Sequence, residues 1–237
     1  MDTIVATRPA QFTKWFTRVL YVLGGALVVS VLAFSWFKPL KVLPRVSLAP
    51  GFVFTDQTGA RKTSDDYRAK LTIYNFTYTH CGAGCPQTSS FMQSLREQLS
   101  QVGISDVAFA LVTISLDPDH DTPEGLRAYA NQFHSVSANP ISWDWLTGDA
   151  QRTKYVVGGG FGVYYEKPIG AVDTAVRFDP RFVLVDGAGI IRAEYRSAQP
   201  DLARVMSDIN ILIDEVHNSQ GAARLAYEAA HLFRCYP

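Results

Sequence analysis

The stretch LTIYNFTYTHCGAGCP, residues 71–86, decides the fold, because it joins a strand, a glycine-rich turn and the start of a helix without interruption. Its first six residues are rich in β-forming types and predict a strand. Beyond this stretch, apolar residues at four-residue steps predict a helix with one apolar face, carried by Phe91, Leu95 and Leu99. A strand that passes directly into a helix is typical of a layered α/β protein.

The turn inside this stretch carries two thiols. Cys81 and Cys85 lie four residues apart at a helix start, on the same side of the chain, so their sulfurs are close enough to bridge or to share one metal ion. Free backbone N–H groups and the helix dipole stabilise thiolates there. The small residues 82–84 let the backbone bend and leave the sulfurs accessible. We therefore predict a reactive or metal-binding sulfur pair.

The rest of the chain extends the α/β pattern. Residues 107–116 are almost continuously apolar, as in a strand that is buried on both faces of a parallel sheet. Thr122-Pro123-Glu124 has the capping hydroxyl, the first-turn proline and the acidic residue of a helix start. Further strands are predicted at residues 51–55, 60–63, 143–146, 182–185 and 190–195, and further helices at 149–157 and 200–216. The predicted fold class is α/β, a thioredoxin-like sheet flanked by helices.

Two other clusters suggest ligand sites but lack the residues that such sites need. Asp117, Asp119 and Asp121 have neither the glycine nor the distal glutamate of a calcium loop, so we predict a solvated turn that caps a helix. The glycines at 158–160 have no following Lys-Ser/Thr of a nucleotide loop. We predict that they form a flexible connection to a strand at residues 163–165.

The N-terminal region contains a long apolar segment. Residues 19–37 carry no charge, and a helix of that length reaches roughly 28 Å, about the hydrocarbon thickness of a bilayer. We predict a transmembrane helix, preceding the α/β domain, rather than a core helix. Since no small-x-small site follows cleanly, we expect an uncleaved anchor. Three basic residues on each side of the span leave its orientation open.

Composition divides the remainder and excludes some functions. The predicted segments are 1–18 before the membrane helix, a Pro-rich linker at 38–50, an α/β domain at 51–216 and a C-terminal helical tail at 217–237. Because 22 basic and 22 acidic residues cancel, no global charge favours nucleic acid, and we predict no nucleic-acid partner. Three cysteines are too few for a disulfide-stabilised scaffold.

Several short motifs together resemble the Sco/SenC family of membrane-anchored, thioredoxin-fold proteins. They are FTDQTG at 54–59, FTYTHC at 76–81 leading into Cys85-Pro86, SLDPDHDTPE at 115–124, WLTG at 145–148 and LVDG at 184–187. The resemblance covers roughly residues 50–215. It implies a role in copper delivery during cytochrome c oxidase assembly, with the copper-bearing oxidase subunit or another copper or thiol protein as partner.

The resemblance also implies a location and a site. The protein would be a single-pass inner-membrane protein held by residues 19–37, with residues 1–18 in the cytoplasm and the domain in the periplasm, or in the intermembrane space of mitochondria. Cys81 and Cys85 would bind the metal. The histidine that the family normally adds as a third copper ligand is replaced here by Phe178. Two thiolates suit soft Cu(I), whereas Cu(II) would lack its imidazole, so we expect Cu(I) rather than Cu(II).

Other side chains are weak replacements for that histidine. The His80 ring is expected to point away from the adjacent sulfur pair, and His120 is expected in a solvated loop. Met92 is predicted to be a core residue. The remaining histidines and the third cysteine are predicted to cap a helix or to lie beyond the family-like region: His134, His217, His231 and Cys235.

Three functions remain open at this point. The first is copper handling, in which Cys81 and Cys85 pass Cu(I) on by ligand exchange, as a metallochaperone rather than an enzyme. The second is a thiol–disulfide oxidoreductase in which Cys81 attacks and Cys85 resolves. That function is favoured if Pro180 is a cis-proline beside the cysteines, and not if it is a trans proline at a strand entry. The third is a non-catalytic docking subunit, for which a helix at 222–232 would provide contacts.

Overall fold

The structure of the chain is a computed structural model that describes two compact units. The described residues are 10–37, 40–81, 85–101, 107–133, 139–167, 176–218 and 222–232. One unit comprises Met1–Val42 with Ser219–Pro237, and the other is Leu43–Asn218. The helices are α1 (Ala10–Phe37), α2 (Cys85–Gln101), α3 (Pro123–Ala130), α4 (Ala150–Thr153), α5 (Leu202–Asn218) and α6 (Ala222–Leu232).

The larger unit is built on a mixed sheet. Its strands are β1 (Ser47–Leu48), β2 (Val53–Asp56), β3 (Arg61–Thr63), β4 (Lys70–Thr77), β5 (Ala108–Ser115), β6 (Ser142–Thr147), β9 (Phe182–Val185) and β10 (Ile190–Tyr195), while β7 (Tyr165–Glu166) and β8 (Arg177–Phe178) form a separate pair. The order in the sheet is β1-β10-β9-β4-β5-β6-β2-β3. β4, β5 and β6 run parallel, and the other neighbouring pairs are antiparallel. The predicted α/β sheet is confirmed.

Both faces of the central strands are buried, which explains their continuous apolar sequence. Along β4, Leu71 and Ile73 belong to one hydrophobic cluster, and Tyr74 and Phe76 belong to the other. Side chains of α2, α3 and α5 complete the first cluster. The segment around Phe52 and the helical turn at 156–157 contribute to the second. Because side chains alternate along a strand, a strand between two such layers needs apolar residues at nearly every position.

Two connections differ from the sequence prediction. The glycines at 158–160 are not a flexible connection, because α4 continues as a π-helix, Lys154–Gly160. A Cβ added at Gly160 would lie 2.4 Å from Pro50, so this packing requires glycine. Ser47 and Leu48 pair with β10, so the sheet begins inside the stretch assigned to the linker.

The smaller unit contains α1 and α6. The apolar run at 19–37 lies within α1, which begins at Ala10. Within α1, Lys14–Ala33 has a mean hydropathy of 1.9 and is not buried, so it has the length and composition of a membrane span. The predicted tail helix is present as α6, whose Tyr227 and Ala230 pack with Val42.

A buried carboxylate fixes the hairpin between β2 and β3. Oδ1 of Asp56 accepts hydrogen bonds from the Thr58 N–H (2.8 Å), the Thr58 hydroxyl (2.6 Å) and the Ala60 N–H (3.0 Å). Burial by itself raises the pKa of Asp56, but these bonds and the nearby Lys62 ammonium outweigh it and hold the pKa below the ordinary 3.8. The hairpin therefore depends on the charged form of this carboxyl.

We expect Asp56→Asn to destabilise the protein by about 1–2 kcal/mol near neutral pH, because charge-assisted hydrogen bonds are replaced by neutral ones. A lowered folded-state pKa contributes stability that is present above the unfolded-state value and lost as the pH falls through the folded-state value. The difference in unfolding free energy between the wild type and the variant should therefore become smaller below pH 3.8. Urea midpoints measured across pH would show this. The matched control is Asp65→Asn, whose side chain is 82% exposed and which should change stability by less than about 0.5 kcal/mol at any pH. A gap that stays constant into acid would contradict the assignment.

Candidate functional site

The predicted sulfur motif lies at the junction between the central strand and the first core helix. Cys81 follows β4 by four residues, and Cys85 is the first residue of α2. Cys81 is partly buried, packs against the second hydrophobic cluster and is disulfide-bonded. The other cysteines are Cys85 and Cys235, and their side chains lie outside the described part of the chain. The two cysteines thus lie between β4 and α2, as the sequence predicts, and the partner of each sulfur remains a prediction.

Phe178 lies close to Cys81, because it packs on Tyr78 three residues before that cysteine. The buried Tyr78 hydroxyl donates to the carbonyl of Val176 (3.2 Å) and accepts from the N–H of Val176 (3.0 Å). Its ring meets the ring of Phe178 edge-on, with centroids 6.2 Å apart. Phe178 and Cys81 pack against the same hydrophobic cluster. The position at which the family resemblance expects a histidine is thus near the cysteine turn, but its side chain offers no donor atom to a metal.

Pro180 has the trans conformation, one of the two that the sequence leaves open. No peptide bond within the described residues is cis, so the Asp179–Pro180 bond is trans and the cis-proline alternative is wrong. The proline directly precedes Arg181, whose guanidinium donates to the Phe161 carbonyl at 3.1 Å. We assign Pro180 to the entry of β9 (Phe182–Val185).

The turn after β5 is solvated at Asp119, as predicted, but Asp117 and Asp121 belong to a buried polar network that the sequence does not predict. Asp121 is 1% exposed. Its carboxylate accepts from the Thr79 N–H at 3.2 and 3.3 Å, from the Thr79 hydroxyl at 2.5 Å and from the Ser115 hydroxyl. The segment that carries Cys81 is thereby fastened to the end of β5.

A second buried carboxylate lies in the same turn. Asp117 is 1% exposed and accepts from the Lys167 ammonium at 2.7 Å, and its other oxygen contacts Nδ1 of His120 at 2.8 Å. Burial raises the pKa of Asp117, but the bonds from Lys167 and His120 outweigh it, so the pKa is lowered overall. Lys167 also bonds Asp119 at 3.3 Å.

Apart from one pair of histidines, the remaining candidate ligands are dispersed. Met92 is fully buried, as predicted for a core residue. His80 and His120 lie side by side, with ring centroids 6.5 Å apart. His217 is in α5, His231 is in α6 of the other unit, and His134 lies outside the described residues. Within the described ranges, no three side chains of His, Cys, Asp or Glu are placed to hold a metal ion together.

Known proteins provide an independent comparison. The family model described as SCO1/SenC matches residues 43–214. A curated relative, the SCO1 protein homolog of Bacillus subtilis, is 26% identical over 149 residues, which is 62% of this chain and 73% of the relative. The match to the human mitochondrial SCO1 homolog is 25% identical and covers 69% of this chain, but only 54% of the relative.

Solved structures agree with the fold. The crystal structure of Arabidopsis thaliana ScoI with copper bound has a TM-score of 0.60 at 23% identity, over 71% of this chain and 99% of that chain. The structure of BsSco, described as a cytochrome c oxidase assembly protein with a disulfide switch, has a TM-score of 0.60 at 24% identity, over 72% and 97%. Both likenesses confirm the thioredoxin-like sheet.

Proposed function

Because the chain belongs to the SCO1/SenC family, we propose that it is a membrane-anchored copper-handling protein that assists assembly of the copper site of cytochrome c oxidase. One observation carries the proposal. Cys81 follows β4 and Cys85 begins α2, in a fold shared with a copper-bound relative. The helix start stabilises the thiolates that a soft metal needs.

The donor set favours Cu(I) as the cargo. Two thiolates are sufficient for Cu(I), which is soft and accepts few ligands, whereas Cu(II) prefers an added imidazole. The family resemblance expects that imidazole at position 178, where this chain has a phenylalanine whose ring packs on Tyr78. Copper would then leave by exchange of thiolate ligands with a recipient, such as the copper-bearing oxidase subunit. The bridge at Cys81 must be reduced first, by two electrons from a dithiol reductant, because a disulfide sulfur is not a thiolate.

A second candidate is thiol–disulfide exchange on a copper-site or other periplasmic disulfide. The observation that favours it is the disulfide-bonded state of Cys81. A cysteine that can be oxidised to a disulfide and reduced again can exchange electrons with the disulfide of a partner protein. The trans bond before Pro180 removes the argument from a cis-proline. A docking subunit is a weaker third candidate, and α6 is the element that would provide its contacts.

The proposed location follows from α1. We propose that this helix anchors the protein in the inner membrane, with residues 1–18 in the cytoplasm and the domain at 51–216 in the periplasm or intermembrane space. The unburied span Lys14–Ala33 supports an anchor. Of the predicted spacer at 38–50, only the part before Leu43 lies outside the α/β unit, and α6 would form the helical tail.

The experiment that tests this function is a titration of the reduced full chain in detergent with Cu(I) against a competing chelator. The potential of the disulfide is recorded on the same preparation. A copper handler binds one Cu(I) per chain tightly. Weak Cu(I) binding with a disulfide potential in the range of reducing thioredoxin-like proteins, about −270 mV, would favour the oxidoreductase. If the chain shows neither tight Cu(I) binding nor such a potential, the docking subunit is the remaining candidate.

Phe178→His provides a gain-of-function prediction. An imidazole at this position beside the reduced sulfur pair should raise the affinity for Cu(II) at least about tenfold, because Cu(II) gains a borderline nitrogen donor. A sulfur-to-Cu(II) charge-transfer band in the visible spectrum reports the binding. The same band should be missing in Phe178→His combined with Cys81→Ser. Failure of Phe178→His to produce the band would place residue 178 too far from the sulfurs to complete their site.

A further inference from the structure

Two exposed histidines lie next to each other beside the cysteine turn. His80 directly precedes Cys81, and its side chain is 63% exposed. His120 belongs to the turn after β5, and its side chain is 43% exposed. Their rings are nearly perpendicular, with centroids 6.5 Å apart. Two imidazoles from separate segments therefore lie next to each other at the surface.

The hydrogen bonds of the Thr79 hydroxyl determine which ring nitrogen of His80 carries the proton. The single hydroxyl proton of Thr79 is donated to Asp121. The hydroxyl oxygen also lies 2.9 Å from Nδ1 of His80. Since its proton is already used, the N–H at Nδ1 of His80 must donate this second hydrogen bond. In the neutral ring, Nδ1 carries the proton and Nε2 carries a lone pair.

His120 has the same tautomer for a different reason. Its Nδ1 lies 2.8 Å from Oδ2 of Asp117, and an ionised carboxylate can only accept a hydrogen bond. Nδ1 is therefore again the protonated nitrogen and Nε2 the one with a lone pair. A carboxylate or hydroxyl on Nδ1 is the usual arrangement behind a metal-binding histidine, because it orients the ring and leaves Nε2 as the donor atom.

The electrostatic surroundings favour a cation. Three carboxylates, Asp117, Asp119 and Asp121, lie in this turn. Asp117 and Asp119 bond the Lys167 ammonium, whereas Asp121 is held by the neutral donors of Thr79 and Ser115. Two of these carboxylates, Asp117 and Asp121, are 1% exposed, so bulk salt screens them less than surface charges. The local charge is thus negative where the two imidazoles meet.

We propose that His80 and His120 form a second metal site, for a divalent transition ion and most tightly for Cu(II), through their Nε2 atoms. Two imidazoles that share one ion at about 2.0 Å per bond have ring centroids about 4.5 Å apart in cis positions and about 6.3 Å apart in trans positions. Small rotations of two exposed side chains close the remaining distance. Cu(II) forms the strongest complexes of the divalent first-row ions with nitrogen donors, and water fills the other positions. The site needs no thiolate, so it is independent of the Cu(I) function proposed above.

The test uses the tag-free full chain in detergent, kept oxidised so that Cys81 stays bridged, and CuCl₂ as the probe. Electron paramagnetic resonance should show one bound Cu(II) per chain with hyperfine coupling to two imidazole nitrogens. His80→Gln and His120→Gln should each weaken binding at least about tenfold and remove the coupling to one nitrogen. The matched control His217→Gln, an exposed position on α5, should change neither.

Two results would overturn the site. One is an oxidised chain that binds no Cu(II) in the presence of a weak competitor such as glycine. The other is a signal that survives unchanged in the His80→Gln/His120→Gln double variant. Neither result affects Cu(I) binding by the reduced chain, so failure here is distinguishable from failure of the proposed function.

Discussion

Cys81→Ser is expected to abolish tight Cu(I) binding, with a rise in Kd of at least about 1,000-fold, or about 4 kcal/mol. A hydroxyl is a hard donor that Cu(I) binds poorly, and the variant leaves one thiolate where two are needed. Serine is nearly the same size as cysteine, so the contact of residue 81 with the second hydrophobic cluster is retained. Competition with a Cu(I) chelator on the reduced full chain measures the change.

The matched control for this variant is Cys235→Ser, which removes the third thiol of the chain and should leave the Cu(I) affinity unchanged. Circular dichroism establishes that both variants are folded. Retention of wild-type affinity by Cys81→Ser would refute the sulfur pair as the copper site. A loss in Cys235→Ser would move the site to the C-terminal tail.

Arg192→Met is expected to cause the largest loss of stability, about 3 kcal/mol or more. The guanidinium is 3% exposed and bonds the carboxylates of Asp186 (2.9 Å) and Glu215 (2.7 Å), and the carbonyls of Leu43 (2.9 Å) and Pro44 (3.2 Å). It thus joins β10 to α5 and to the chain segment before β1. Without it, two carboxylates lose their main partner in a poorly hydrated place.

Thermal unfolding of the full chain in detergent, followed by near-ultraviolet circular dichroism, should show a Tm lowered by about 6–12 °C. The control is Arg196→Met, at a side chain that is 73% exposed and pairs with Glu194 at 3.4 Å. Exposed ion pairs contribute little, so its Tm should move by less than about 2 °C. Equal effects of the two substitutions would contradict the assigned role of Arg192.

The sheet and the placement of Cys81 and Cys85 between β4 and α2 could be predicted because their signals are local. The apolar run that became β5 (Ala108–Ser115) reports burial on two faces, and a glycine-rich turn between a strand and a helix is visible in adjacent residues. Phe178 was also located by its spacing from the strand that follows it, since β8 lies just before β9.

The polar network escaped prediction because its partners are distant in sequence. Asp121 binds Thr79, 42 residues away, and Asp117 binds Lys167, 50 residues away. Arg192 reaches Leu43 across 149 residues. Aspartates in a turn look solvated until the fold brings such partners to them. For the same reason, the proximity of His80 and His120 could not be read from either segment alone.

The proposed copper handling depends on two sulfurs that hold one copper ion, and X-ray absorption on the Cu(I)-loaded, reduced full chain tests this most directly. It counts the atoms bound to copper and separates sulfur from nitrogen or oxygen. We predict two sulfur neighbours per Cu(I) in the wild type and one in Cys85→Ser. A first shell made of nitrogen and oxygen alone, unchanged by that substitution, would contradict a copper-handling role for the cysteine turn.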